Sequence, residues 1–225
     1  GLLFALASLS YLWGLTYLPL ADSAAIFFVE PLLLTLLATV ALGEPIGWRR
    51  VLAVIVGFAG ALIVIRPSFE AVGPAALLPL LAAFCFAVYL TITRKLATVE
   101  DARAMQFWVC VFAALTLMIA MTVGSAASVP VLTPSWPSAG QWVWLVGLGV
   151  IATLSHMLAI RAFRLAPASI LAPFQYLEIL GATILGIIVF SDVPDRTTVL
   201  GIAVIVGSGL YVFRREQAAA RARSG

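Results

Sequence analysis

Eight apolar runs joined by short connections leave this chain little choice of fold. They fall near Leu2–Tyr17, Ala24–Leu42, Val51–Ile65, Ala75–Ile92, Phe107–Val123, Trp142–Ile160, Ile170–Phe190 and Val199–Phe213. Uninterrupted apolar stretches approaching 20 residues are the mark of helices that cross a bilayer, where every backbone polar group must be satisfied within the segment. The whole chain agrees, being 63% hydrophobic and only 10% charged, against about 45–50% and 25% in soluble domains. The expected architecture is therefore all-α, a polytopic transmembrane bundle of eight helices. Several runs are shorter than the usual ~20 residues, so flanking residues and local thinning of the bilayer must help them span.

The net charge of +3 suggests at first a basic surface for nucleic acid, but the placement of the charges speaks against it. With eight spans the connections alternate sides. Eleven of the 13 basic residues then share one side: Arg49 and Arg50; Arg94, Lys95 and Arg103; Arg161 and Arg164; and Arg214, Arg215, Arg221 and Arg223. Only Arg66 and Arg196 fall opposite. Cytoplasmic loops carry the excess of Lys and Arg, which puts the C-terminal tail and the 43–50, 94–103 and 161–164 connections in the cytoplasm and the uncharged 124–140 connection outside. The basic residues orient the chain, and no nucleic-acid partner is expected. No basic segment or cleavage site precedes the first run, so no signal peptide is expected. The chain begins with Gly1 rather than Met, as a fragment would.

Carboxylates inside the apolar runs are the first functional candidates. Glu178 stands eight residues into ILAPFQYLEILGATILGIIVF, roughly 12 Å deep at 1.5 Å per residue, where a carboxylate is costly unless it faces a cavity or a partner. Gln175, Glu178, Ala182 and Leu185 recur at helical spacing and form one face, which should look inward, with Tyr176 beside it. Glu30 occupies the same kind of place in AAIFFVEPLLLTLLATVAL, and Pro31 directly after it loosens the backbone ladder, marking a hinge or a site. Glu178 follows Glu30 by 148 residues, and Pro19 with Pro167 and Glu44 with Asp192 keep that interval. Two copies of one unit are indicated, in opposite orientation because an odd number of spans separates equivalent helices. In that arrangement Glu30 lies nearer the external surface and Glu178 nearer the cytoplasmic one.

The remaining polar and small residues have simpler readings. His156, the one histidine of the chain, sits near the cytoplasmic end of the sixth run, where hydrogen-bonded packing and proton transfer are both open to it. Gly57 and Gly60 in the third run, and Gly201, Gly207 and Gly209 in the eighth, have the spacing that lets helices approach closely in lipid. Trp136, Trp142 and Trp144 cluster at an interface, as anchoring aromatics do. Cys85 and Cys110 lie in separate apolar runs and are read as packing residues; neither a disulfide nor a metal site is expected. No cofactor is implied.

Two stretches carry a resemblance. YLPLADSAAIFFVEPLLLTLLATVALGEPIGWRRVLAVIVGFAGALIVIRP, with its Gly43-Glu44 turn followed by Trp48-Arg49-Arg50, resembles the EamA family of the drug/metabolite transporter superfamily, and RLAPASILAPFQYLEILGATILGIIVFSDVPD resembles that family's later repeat. The resemblance implies an inverted-repeat fold of two five-helix halves with both ends cytoplasmic. Residues 1–73 would be a first repeat with three helices, its opening two missing, and residues 74–225 a complete second repeat with a cytoplasmic tail. It also implies a carrier of small organic solutes that alternates between inward-open and outward-open states. Branches with a similar LAPF-Y and F-D-P pattern include importers of riboflavin and of S-adenosylmethionine, while others export amino acids or metabolites.

The expected function is a secondary transporter of a small organic metabolite in the cytoplasmic membrane, with proton coupling left open. Glu178, Gln175, Tyr176, Glu30 and His156 are the candidate substrate or coupling residues, and a homodimer is compatible with the sequence. A non-transporting membrane partner is the alternative. An intramembrane enzyme is disfavoured, because Asp22, Asp101, Asp192 and Asp195 all fall in loops or at helix ends and one histidine cannot form a metal cluster.

Overall fold

A computed structural model describes residues 1–42, 48–96, 100–165, 178, 181–189, 191 and 193–224. Among the described residues there is no β-strand, and each of the eight apolar runs contains helix. The helices are α1 (Leu2–Gly14), α2 (Leu20–Phe27), α3 (Glu30–Leu42), α4 (Trp48–Val72), α5 (Leu78–Leu96), α6 (Ala102–Ala126) and α7 (Ala139–Leu165). An α8 covers residues 181–189, and α9 covers Arg196–Ser224. The stretches Leu20–Leu37, Ser68–Leu96, Arg103–Ala126 and Ala139–Leu158 are long and apolar enough to cross a membrane, and shorter apolar helices occupy Leu2–Gly14, Val51–Ile65 and Arg196–Tyr211.

Helix ends follow local backbone chemistry more than hydropathy. The third run was expected to stop near Ile65, yet α4 continues to Val72 and ends where Gly73 takes φ +69°. That left-handed conformation suits glycine and terminates the helix. A 3-10 turn over Gly73–Leu77 then leads into α5. At the start of α9, Asp195 caps the helix, its Oδ1 accepting the Thr198 backbone N–H at 2.6 Å and its carboxylate also accepting the Thr197 hydroxyl. The Thr198 N–H is the main cause that holds the Asp195 carboxyl below the usual carboxylate range, with the Thr197 hydroxyl adding to it. Because the folded-state value is depressed, this cap stabilises the protein above the unfolded Asp value of about 3.9 and loses its effect as pH falls through the folded value. Asp195→Ala should therefore cost about 1 kcal/mol at neutral pH. In thermal melts the gap between variant and parent should close below about pH 4.

The packed core lies among the helices of the first half, α5 and α9. Ala25, Ile26 and Val29 from the second run, Ala61, Val64 and Ile65 from α4, Ala83 and Ala87 from α5, and Ile205 from α9 form one buried cluster. Small residues allow the close approaches. Ala7, Ser10 and Gly14 share one face of α1 and meet α5, where a Cβ on Gly14 would lie 3.1 Å from Pro79. Among the described residues α4 and α9 form the most extensive helix pair. A Cβ on Gly57 would collide with Leu32 and lie 2.7 Å from Ser208 Oγ, and one on Gly60 would lie 2.9 Å from Val204.

On α9 the seam position belongs to Gly201, whose Cβ would collide with Val64 and come within 2.8 Å of the Gly60 carbonyl oxygen. Gly209 is buried, whereas Gly207 is exposed, with open space where a Cβ would stand. At 100° per residue Gly201, Ile205 and Ser208 share a face, and Gly207 lies on the far side of it. Among the described residues nothing packs on Gly207, in contrast to the packing expected of it.

α6 and α7 stand toward the outside of the bundle. No residue of Ala139–Leu158 is fully buried, and Leu145, Leu148, Ile151, Leu154 and Leu158 are all exposed. For a helix in lipid this is the expected outer face, since the surroundings are as apolar as the side chains. Trp136 and Trp144 are 92% and 82% exposed at the mouth of α7.

Candidate functional site

The site begins with a broken helix. The run from Leu20 to Leu42 was expected as one helix from about Ala24, but α2 ends at Phe27 and α3 begins at Glu30. Pro31 supplies the reason: it has no N–H to donate to the Phe27 carbonyl, and its ring clashes with a carbonyl four residues back. The backbone answers with a tighter turn, Val29 N–H donating to Ile26 O at 3.3 Å, while the N–H groups of Leu32 and Leu33 both turn to Val29 O. The break is packed rather than frayed, since Ile26 and Val29 are fully buried and Phe28 nearly so.

A cavity of about 160 Å³ opens at this break, lined by Phe27, Phe28, Glu30, Phe86 and Glu178. The structure thus brings both embedded carboxylates to one space, although they lie 148 residues apart in the chain. Glu30 is 4% exposed, and its Oε1 is buried without a hydrogen-bond partner. Leaving such an atom unsatisfied costs a few kcal/mol, more if it is charged. Glu178 is helical and exposed, on the accessible side of the cavity. Gln175 and Tyr176, expected beside it, lie outside the described residues, as do Glu44, Pro167 and Asp192.

The apolar wall is aromatic and extends from the second run across α5 to α1. Phe27 meets Phe86 with ring centroids 5.7 Å apart and Tyr11 at 5.3 Å. Phe86 continues to Tyr89 at 5.7 Å, and Phe4 packs edge-on to Tyr89 at 5.5 Å. His156 joins the far end of this chain of rings, its Nε2 lying 3.0 Å from the Tyr89 hydroxyl. It is half-buried and does not line the cavity. Sequence reasoning missed Phe27, Phe28 and Phe86. The first two are visible as the Phe-Phe pair just before Glu30, whereas Phe86 stands in a run whose apolar residues look alike.

A second polar cluster, also missed, ties three helices together. The Asp22 carboxylate on α2 accepts the Thr198 hydroxyl of α9 at 2.6 Å, and Ser68 Oγ of α4 lies 3.4 Å from its other oxygen. Thr198 and Ser68 are both buried. Asp22 reads in sequence as a turn residue, because nothing nearby in the chain marks its partners. Thr198→Val keeps the shape and removes the donor, so it should lower stability by about 1.5–3 kcal/mol, the worth of a hydrogen bond to a charged group. Thermal unfolding in detergent would show the loss. Among the described residues no group of three or more His, Cys, Asp or Glu is placed to hold a metal ion. Cys85 is buried, whereas Cys110 is exposed on α6, with Gln106 Nε2 donating to its sulfur at 3.3 Å.

A helical bundle of this apolarity, with a broken helix and two carboxylates around an internal cavity, has the build of a membrane transporter rather than an enzyme. The chain belongs to the EamA-like transporter family, which it matches over residues 2–66 and 73–214. It is 30% identical over 221 residues to an S-adenosylmethionine uptake transporter of Rickettsia felis, an alignment covering 97% of this chain and 71% of that protein. It is 30% identical over 211 residues to a riboflavin transporter of Vibrio cholerae, covering 92% of this chain and 67% of the relative. A riboflavin transporter of Brucella anthropi is 29% identical over 211 residues, with 94% and 73% covered. No solved structure matches the chain significantly.

Proposed function

We propose that this protein is a secondary transporter that carries a small organic metabolite across the cytoplasmic membrane by alternating access, with proton exchange at the Glu30–Glu178 pair. The observation that carries this reading is the meeting of the two carboxylates on one cavity at a helix break. Secondary transporters place substrate and coupling sites where helices are discontinuous and repeats meet near the bilayer midplane. In this reading residues 1–73 and 74–225 are the two repeats, and each contributes one carboxylate. Gln175 and Tyr176 complete the Glu178 side, and His156 acts by holding Tyr89 behind the aromatic wall. The site draws both carboxylates from one chain, so a homodimer is compatible with it but not required. The relatives named for S-adenosylmethionine and riboflavin transport support a metabolite as cargo. The distribution of basic residues supports a cytoplasmic C-terminal tail.

The test is reconstitution. Protein purified from its full reading frame is placed in liposomes, and mass spectrometry records which solutes of a metabolite extract enter with and without a pH gradient. Gradient-dependent accumulation of a defined compound is expected. A monodisperse preparation that accumulates nothing would remove the transport reading.

A further inference from the structure

We infer that the Tyr89–His156 pair, packed against Phe4, is the cytoplasmic gate of the transporter, opened when α7 carries His156 away from α1 and α5. This rests on the transport reading above and adds the contact that must separate on one side of the cavity in every cycle. Phe86 lines the cavity, and Tyr89 follows it by about 4.5 Å along α5 at 1.5 Å per residue, toward the last turn with Arg94 and Lys95. Basic residues mark the cytoplasmic side. The Tyr89 ring meets Phe86 at 5.7 Å and is buried. α1 sets Phe4 edge-on to it at 5.5 Å, and α7 stacks His156 on it at 6.1 Å. His156 also meets Phe4 edge-on at 6.3 Å, and its Nε2 lies 3.0 Å from the Tyr89 hydroxyl. The group joins three helices one turn to the cytoplasmic side of Phe86, α1 from the first repeat and α5 and α7 from the second.

The strength and setting of this contact suit a closure that opens. A hydrogen bond between neutral groups biases an equilibrium by about two- to tenfold net, and an edge-on ring pair by a similar factor. Differential binding of a solute can reverse a bias of that size. The α4–α9 seam differs in kind, because its helices interlock so closely that a Cβ on Gly60 would lie 2.9 Å from Val204. α7 is the loosest of the three gate helices, with no residue of Ala139–Leu158 fully buried, whereas α1 presses Ala7, Ser10 and Gly14 onto α5. When α7 withdraws, the tyrosine hydroxyl and the imidazole both meet the water that enters from the cytoplasm. Their hydrogen bonds are therefore made in either state, which a pair of apolar side chains in the same place does not offer.

A reversible cross-link tests the gate, because reinforcing a static contact is harmless whereas tying a gate shut stops the cycle. In the full-length protein with Cys85→Ala and Cys110→Ala, Tyr89→Cys and His156→Cys are bridged by a short bis-methanethiosulfonate reagent. Uptake from the metabolite extract of the liposome assay should fall at least about tenfold on bridging and recover on reduction, while the single-cysteine variants ignore the reagent. Tyr89→Phe keeps the ring and loses the hydroxyl. With Phe27→Cys at the cavity as reporter in the same background, it should quicken labelling by an impermeant maleimide from the cytoplasmic side of oriented vesicles by roughly two- to tenfold. Labelling from the external side should not quicken. Once His156→Leu is present, Tyr89→Phe should add nothing. Undiminished uptake by the bridged protein, or labelling that Tyr89→Phe leaves unchanged or quickens equally on both sides, would overturn the inference. Should the paired variant take up nothing before bridging, the labelling decides. One-sided labelling in a protein that moves no solute removes the transport reading and leaves the closure, whereas undiminished uptake after bridging removes the gate alone.

Discussion

Glu178→Gln is expected to abolish concentrative uptake into proteoliposomes under an imposed pH gradient while leaving one-for-one exchange of the same solute measurable. The glutamine keeps the size and hydrogen-bonding reach of the side chain but cannot gain or lose a proton in this range. If one proton moves with each solute, a gradient of one pH unit is worth about 1.4 kcal/mol and supports roughly tenfold accumulation. Without the exchanging group that factor should fall to one, with equilibration continuing. Exchange therefore serves as the folding control. Normal pH-dependent accumulation by the variant would remove Glu178 from the coupling role, and loss of both activities together would point to a structural one. Glu178 is the better carboxylate for this experiment, because it is exposed on the cavity whereas Glu30 is enclosed.

Gly201→Val should produce the largest loss of stability among single changes in the α4–α9 seam. A Cβ at 201 already collides with Val64 and comes within 2.8 Å of the Gly60 carbonyl oxygen, and valine adds two methyls beyond it. A side chain can rotate away, but a helix backbone cannot. Overpacking of this kind typically costs 1–3 kcal/mol and more where relief requires moving a helix. The variant should elute as aggregate or show a sharply lowered thermal midpoint. Gly207→Ala on the same helix meets no described residue within 4 Å. It should be neutral, or stabilising by up to about 1 kcal/mol through the helix preference of alanine. Equal behaviour of the two variants would mean that α4 and α9 do not meet as described.

The helical, membrane-embedded character of the chain is legible in its sequence because lipid imposes one simple rule on long apolar runs. The site was legible only through its exceptions. Glu30 and Glu178 stand out because charge is rare in such runs, yet counting residues from the helix ends set them toward opposite surfaces. Ten residues from Leu20 amount to about 15 Å and eight from Ile170 to about 12 Å, so in a core of about 30 Å both depths approach the middle. The shared cavity is compatible with either placement, since it joins the two side chains without fixing their depth. Phe86 could not be singled out, since aromatic residues on a lipid face, a packing face and a cavity wall look the same in one dimension. Glycine spacing marked both α4 and α9 as closely packing helices, but small-residue patterns identify neither the partner helix nor which glycine faces it. Gly201 and Gly207 differ in that respect by their angle around the helix. The Asp22–Thr198 contact joins residues 176 positions apart with no periodicity to announce it.

The break at Phe28–Val29 has an energetic consequence for movement. Curving an intact helix within lipid strains or ruptures hydrogen bonds for which no water can substitute, and each unsatisfied group costs several kcal/mol. At this one place Pro31 has already removed a donor, and the neighbouring N–H groups are engaged with Ile26 and Val29. Deflection there spends no further ladder bond. The Asp22 contacts with Thr198 and Ser68 anchor α2 to α9 and α4, while α3 packs against α5. The compliance of the second run is thus concentrated at the two residues beside the Glu30 carboxylate, so a change in what that carboxylate holds acts directly on the softest joint of the helix.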